Sequence, residues 1–167
     1  MNIQLRPWQN GDEASLVENA NNYKIWINLK DVFPHPYTLM NADEWINFAK
    51  SQALIKAIVI DGKAVGGIGL YPQNDIYSKN AELGYWLGEA YWGKGIVSAA
   101  IKEMLEIGFQ NPNLHRIFAS VMAYNQASMR VLEKAGFCHE ATLKQSIFKD
   151  GKLVDETIWA ILKDDFA

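Results

Sequence analysis

The stretch Glu82-Leu83-Gly84-Tyr85-Trp86-Leu87-Gly88-Glu89-Ala90-Tyr91-Trp92-Gly93-Lys94-Gly95-Ile96-Val97 decides the fold of this chain. Ala81–Leu87 reads as a strand. From Gly93 to Phe109 the pattern becomes helical, with apolar positions at Ile96, Val97, Ala100, Met104, Leu105 and Phe109. The glycines between strand and helix let backbone N–H groups come close to a ligand. The start of the helix adds partial positive charge, so the turn is built for a phosphate.

Working outward, the chain alternates between strand and helix signals. Ile3, Leu5 and Pro7 suggest an edge strand ended by Asn10-Gly11. Asp12 is the expected cap of a helix carrying Leu16, Val17 and Ala20. Pro34 and Pro36 exclude a long helix across 23–38, so a helical turn and a loop are expected there. Asn41 or Asp43 is the expected cap of a helix with Trp45, Ile46 and Phe48–Ala49. Ala53–Ile60 and Ala64–Tyr71 are strands joined at Asp61-Gly62. Beyond the central helix, Asn111-Pro112-Asn113 is a break and Arg116–Ala123 a strand. A helix over Asn125–Ala135 stops at Gly136, a C′ glycine. Phe137–Phe148 and Leu153–Leu162 form a final hairpin turning at Asp150-Gly151-Lys152. The order β α α β β β α β α β β implies an α/β (α+β) fold, with a mixed sheet and helices on both faces.

The chain has 167 residues, 49% hydrophobic and 21% charged, which suits one globular domain with a real core. A formal net charge of −3 argues against nucleic acid and is compatible with cationic partners such as amines. The single cysteine, Cys138, excludes an internal disulfide and a cysteine-based zinc site. His35, His115 and His139 lie in different elements, so no metal is expected. The start of the sequence lacks a basic region followed by a long apolar run, and no apolar run is long enough to cross a bilayer. A cytoplasmic protein with no membrane contact is expected.

Three motifs compete for the glycine turn. A P-loop would match Gly88-x4-Gly93-Lys94, but Gly95 stands where a Ser or Thr should hold magnesium. A dinucleotide fingerprint would match Gly93-x-Gly95-x-x-Ser98, but Arg116–Ala123 leads into Tyr124-Asn125 rather than the acidic residue a ribose requires. The third is a Gln/Arg-x-x-Gly-x-Gly/Ala loop, here Trp92-Gly93-Lys94-Gly95-Ile96-Val97. Trp92 replaces the leading Gln/Arg and Val97 the last small residue.

The third motif, with Glu82–Gly95, Asn125-Gln-Ala-Ser128-Met-Arg-Val-Leu-Glu-Lys-Ala-Gly-Phe137 and Pro36-Tyr37-Thr38, resembles the GNAT superfamily of N-acetyltransferases, in its Rim-type branch. The resemblance implies a single GNAT domain over 1–167, with a mostly antiparallel mixed sheet and a splayed central strand pair. It implies acetyl-CoA as donor. The backbone of Tyr85, Trp86 and Leu87 would hold the pantetheine arm. Trp92, Gly93, Lys94, Gly95, Ile96, Val97 and Ser98 would form the pyrophosphate loop, and Asn125 would bond the arm or cap its own helix. Trp26, Phe33 and Tyr37 would line the acceptor groove, or pack in the core.

Amine attack on a thioester needs a neutral amine, an oxyanion donor and a proton for the departing thiolate. The resemblance makes the Leu87 amide the oxyanion donor and Glu82 the base, with Glu140 and Asp155 as weaker candidates. Many relatives carry a tyrosine acid where this chain has Leu132, and Ser128 is the replacement candidate. The expected acceptor is a protein N-terminal α-amine. The alternatives are a small amine such as a polyamine, or a non-catalytic acetyl-CoA-binding module. The chain is expected to be a monomer or homodimer.

Overall fold

A computed structural model describes residues 1–166. Its strands are β1 (Ile3–Arg6), β2 (Ile55–Ile60), β3 (Lys63–Pro72), β4 (Asn80–Leu87), β5 (Arg116–Met122), β6 (Cys138–Lys149) and β7 (Lys152–Leu162). The helices are α1 (Glu13–Ala20), α2 (Tyr23–Trp26), α3 (Leu39–Ala49), α4 (Ile96–Phe109) and α5 (Gln126–Lys134). Hydrogen bonds link the strands in the order β1-β2-β3-β4-β5-β7-β6. The expected mixed, mostly antiparallel sheet is thus present, with β4 and β5 running parallel.

The tight hairpins follow from local chemistry. Asp61 and Gly62 have φ of +48° and +86°, and Asp150 and Gly151 have +51° and +76°. Two successive left-handed residues make the turn whose twist matches the flanking strands, and Asp-Gly supplies it at low steric cost. Gly136, at φ +98°, ends α5 as its sequence implied.

The chain divides into two compact units, Met1–Gly69 with Tyr85–Ala100, and Leu70–Gly84 with Ile101–Ala167. In the first, Trp8, Leu16, Ala20, Ile46, Ala57 and Val59 are buried in one apolar cluster. In the second, Leu70, Met104, Ile117, Leu132 and Phe137 are buried. Gly108 leaves α4 bare where a Cβ would stand 2.6 Å from Leu70 Cδ1.

Asp12 stands at the expected N-cap of α1 but makes no side-chain cap bond, and the cap of α3 differs from expectation. The Asp12 carboxylate instead takes both Arg6 guanidinium donors at 2.8 Å and the Gln9 amide at 3.1 Å. A bidentate charged fork outcompetes a neutral amide for the same oxygens. Helix α3 is capped neither by Asn41 nor by Asp43. Thr38 Oγ1 accepts the Asn41 amide, and Asn41 Oδ1 accepts the Thr38 amide, which is a capping box.

Tyr37 is 5% exposed, and burial pushes its phenol up to about 12. An unfolded tyrosine ionises near ~10, so this side chain holds its proton longer in the fold than out of it. Its contribution to stability is complete below pH ~10 and is lost as pH rises towards about 12. The melting temperature of the wild type should therefore fall more steeply over that window than that of Tyr37→Phe. Parallel melting curves for the two proteins would contradict the burial argument.

Candidate active site

In the first unit, β4 ends at Leu87, and the 3₁₀ turn Glu89–Tyr91 carries the chain to Trp92. The Trp92 indole N–H donates to the Leu87 carbonyl at 2.7 Å, closing the turn. That bond accounts for a tryptophan in the position the motif gives to Gln or Arg. Gly93 and Gly95 have φ of +73° and +74°, a region side chains rarely enter. A Cβ on either would meet nothing within 4 Å, so these glycines are required by backbone conformation and face open space.

Helix α4 then begins. The Ala99 amide donates to the Gly95 carbonyl at 3.1 Å. The amides of Ile96, Val97 and Ser98 belong to the turn in which a helix supplies no acceptor for its own N–H groups. Ile96 is 1% exposed, so its side chain anchors the helix while its amide sits at the helix mouth. Val97 in place of a small residue leaves this amide row intact, because its own N–H is still present. Lys94 folds back, with Nζ donating to the Ala90 carbonyl at 3.0 Å and lying 5.7 Å from the Tyr91 ring centre.

Close strand contact explains two glycines the sequence reading passed over. A Cβ on Gly66 would stand 2.5 Å from the Trp86 carbonyl oxygen, and one on Gly67 2.8 Å from Trp86 Nε1. The Gly88 amide donates to the Val65 carbonyl at 2.8 Å. Alternation along an antiparallel strand therefore turns the Leu87 N–H away from β3. Tyr85 and Trp86 are half-buried, and Leu87 is buried.

Aromatic residues of the first unit form three groups. Phe33 lies 5.1 Å from Tyr37 and 5.6 Å from Trp86 between ring centres. Trp26 stacks on His35 at 5.6 Å and 27°, with Tyr23 at 5.7 Å. Tyr37 is buried, whereas Phe33 and Trp26 are half-buried. Trp45 packs against the core and tilts on Phe48.

In the second unit, β4 pairs with β5 from Asn80↔Arg116 to Glu82↔Phe118, although β5 continues to Met122. Glu82 is half-buried at the end of that pairing. Tyr71, which no sequence motif singled out, has its ring 3.5 Å from a Cβ built on Gly84. Burial, and then the charge of Glu82, raise the Tyr71 phenol above its ordinary value, so it stays protonated at neutral pH. Asn125 accepts the Ser128 amide at 3.3 Å and caps α5. Phe118, the strand partner of Glu82, lies four residues before the end of β5 at Met122, roughly 13 Å of strand, and the cap lies three residues beyond that end. Leu132 is 0% exposed, a packing residue with no proton to give.

The weaker base candidates are already engaged. Glu140 pairs with Arg116. Asp155 accepts the Gln145 amide at 2.8 Å and Lys144 Nζ at 3.2 Å, which pulls its carboxyl below the usual range. Gln145 has φ +53°, so Asp155 secures a left-handed residue where the β6–β7 register shifts. Among the described residues no cluster of His, Cys, Asp and Glu could hold a metal ion, and no helix is long and apolar enough to cross a membrane.

Residues 2–138 match the family model described as an acetyltransferase (GNAT) domain. The chain is 37% identical over 105 residues to the probable N-acetyltransferase YjcK of Bacillus subtilis, covering 63% of this chain and 58% of that protein. It is 26% identical over 119 residues to the putative ribosomal N-acetyltransferase YdaF of the same organism, covering 71% and 64%. The matches thus span less than two thirds of these relatives' own length. In fold, the chain is similar to spermidine N-acetyltransferase from Vibrio cholerae, solved with CoA and spermine, with a TM-score of 0.80 at 24% identity over 98% of this chain and 96% of that one.

The glycine turn makes a direct stability prediction. Gly95→Ala must hold a side chain at φ +74° and should lose about 1–2 kcal/mol in a urea titration. Lys94→Ala removes one exposed bond and should change stability by no more than about 0.5 kcal/mol. Equal losses would contradict the left-handed assignment.

Proposed function

The chain belongs to the GNAT acetyltransferase family, and from that premise we propose that it transfers the acetyl group of acetyl-CoA to a primary amine. The observation that carries this reading is the pair of left-handed glycines, Gly93 and Gly95, opening the amide row of α4 to solvent. Amides from Gly93 to Ser98 hold the pyrophosphate, with the partial charge of the helix start behind them. Lys94 swings from Ala90 to the phosphates or stays on the loop without loss of the site. The backbone of Tyr85–Leu87 holds the pantetheine arm, and Asn125 adds a polar contact to it while still capping α5.

The amine nitrogen attacks the thioester carbonyl carbon directly. The carbonyl oxygen becomes an oxyanion held by the Leu87 amide, which already points away from β3. Collapse breaks the C–S bond and releases the CoA thiolate. Glu82 takes the proton the amine loses, directly or through water, and later releases it to solvent; Ser128 gives a proton to the thiolate and recovers one from solvent. The products are the acetamide and CoA thiol. Leu132 takes no part.

An N-terminal α-amine is the acceptor this arrangement serves best. Its pKa near ~7.7–8.0 leaves roughly a tenth neutral at pH 7, whereas an alkyl ammonium near ~10.4 must be deprotonated at a cost of about 4–5 kcal/mol. Polyamine recognition also calls for spare carboxylates. Glu89, which reaches α2, is already held by Lys24 and Asn22. Half-buried Trp26 and Phe33 offer a flat apolar surface to the residues behind an N-terminus.

Gly95→Asp sets a carboxylate against the pyrophosphate and should abolish acetyl-CoA binding by calorimetry while the circular dichroism stays native; unchanged affinity refutes the loop assignment. Glu82→Gln should lower kcat on peptide N-termini on the order of 10- to 100-fold and flatten the acidic limb of its pH profile. An unaltered profile removes Glu82 as the base. Faster turnover of spermine than of any N-terminal peptide would replace the proposed acceptor class.

A further inference from the structure

Glu89 has no role assigned to it in the glycine-turn segment, yet it is the residue through which that segment meets α2. Its Oε1 accepts Lys24 Nζ at 2.6 Å and its Oε2 accepts Asn22 Nδ2 at 2.8 Å. The hydrogen bonds, first from Lys24 and then from Asn22, draw the Glu89 carboxyl below its ordinary value, so it is ionised at neutral pH. Asn22 is doubly occupied, because its Oδ1 also caps α2 by accepting the Lys24 amide at 2.9 Å. Next to Glu89, Gly88 leaves the space in which a Cβ would run into the Asn19 side chain. Two adjacent residues of the loop, 88 and 89, therefore meet Asn19 of α1, Asn22 before α2 and Lys24 within it.

We infer that Glu89 is a positioning residue that fastens the acceptor-facing segment to the donor loop. Helix α2 has four residues, too few to hold a helical turn on propensity alone. Its direction is set by what it is tied to. It carries Tyr23 and Trp26, whose rings meet His35, so the tie at its first turn fixes the aromatic surface beyond. On the other side of Glu89 the turn is itself fastened, by the Trp92 indole to the Leu87 carbonyl. Ile25 holds α2 from its buried face and Glu89 from its polar one, so loss of Glu89 loosens α2 without loosening the glycine turn. The inference rests on the proposed reading that residues 93–98 take the donor and that Trp26 faces the acceptor.

The test compares wild type with Glu89→Ala, Glu89→Lys, Lys24→Glu and the charge-swapped double variant Glu89→Lys/Lys24→Glu. Acetyl-CoA affinity is read by calorimetry, and acceptor KM and kcat by thiol release with N-terminal peptides. Glu89→Ala should raise acceptor KM about three- to fivefold, the scale of one exposed ion pair and a shared hydrogen bond, with kcat and acetyl-CoA affinity within about twofold of wild type. The double variant should recover much of the KM that each single reversal loses. Amide hydrogen exchange supplies a readout independent of turnover: in Glu89→Ala, exchange should quicken at 22–37 and stay unchanged at 93–99. Unchanged exchange at 22–37, or single and double reversals with additive effects, overturns the tether. A wild type that fails to bind acetyl-CoA overturns the donor reading instead, and the exchange result still decides the role of Glu89.

Discussion

Everything in the first unit depends on how the chain gets from β4 into α4. Two left-handed residues, Gly93 and Gly95, accomplish the reversal within a few residues. Because neither carries a Cβ, the face they present is backbone alone. Because the helix begins at once, that face leads into amides no helical carbonyl can reach. Trp92 pins the turn by satisfying the Leu87 carbonyl, and Ile96 pins the helix by filling the core. A conformational requirement of the backbone and the proposed anion-binding surface are thus the same feature, and that surface does not depend on the side chains at the flanking positions Trp92 and Val97.

The charged groups of each unit divide in a way that narrows the chemistry. Arg6 and Asp12, Arg116 and Glu140, and Lys144 and Asp155 are each committed to one another. Asp155, held below the ordinary carboxylate range, is a poor proton acceptor and a good anchor for the strained residue Gln145. Tyr71 keeps its proton beside Glu82. The proposed base therefore has a neutral neighbour rather than a competing anion, and a phenol there can donate a hydrogen bond to the carboxylate form.

What the sequence made legible was local. Asp61-Gly62, Asp150-Gly151 and Gly136 were read correctly because each needs a backbone region few residue types enter. The period of α4 and its glycine entry were legible for the same reason. Asp12 was placed correctly at the N-cap of α1 but makes no side-chain cap bond, and the cap of α3 was misread because several neighbouring side chains can reach the same amides. At α1 the choice was made by Arg6, a residue from the preceding strand. Glu89 was passed over because its partners Asn22 and Lys24 lie 67 and 65 residues away in the chain. Tyr71 was missed because only the pairing of strands sets it beside Glu82. Pattern alone could not separate Tyr37 as a core residue from Trp26 and Phe33, since all three are large aromatics in one proline-broken segment.

The central claim is that backbone amides from Gly93 to Ser98 bind the donor's pyrophosphate. The most direct measurement is a two-dimensional ¹⁵N–¹H titration of the uniformly labelled protein with acetyl-CoA. The account predicts the largest shift changes at the amides of Gly93, Gly95, Ile96, Val97 and Ser98, with a second set at Tyr85–Leu87. Saturable binding whose shifts fall outside both segments, or no saturable binding at all, would contradict it.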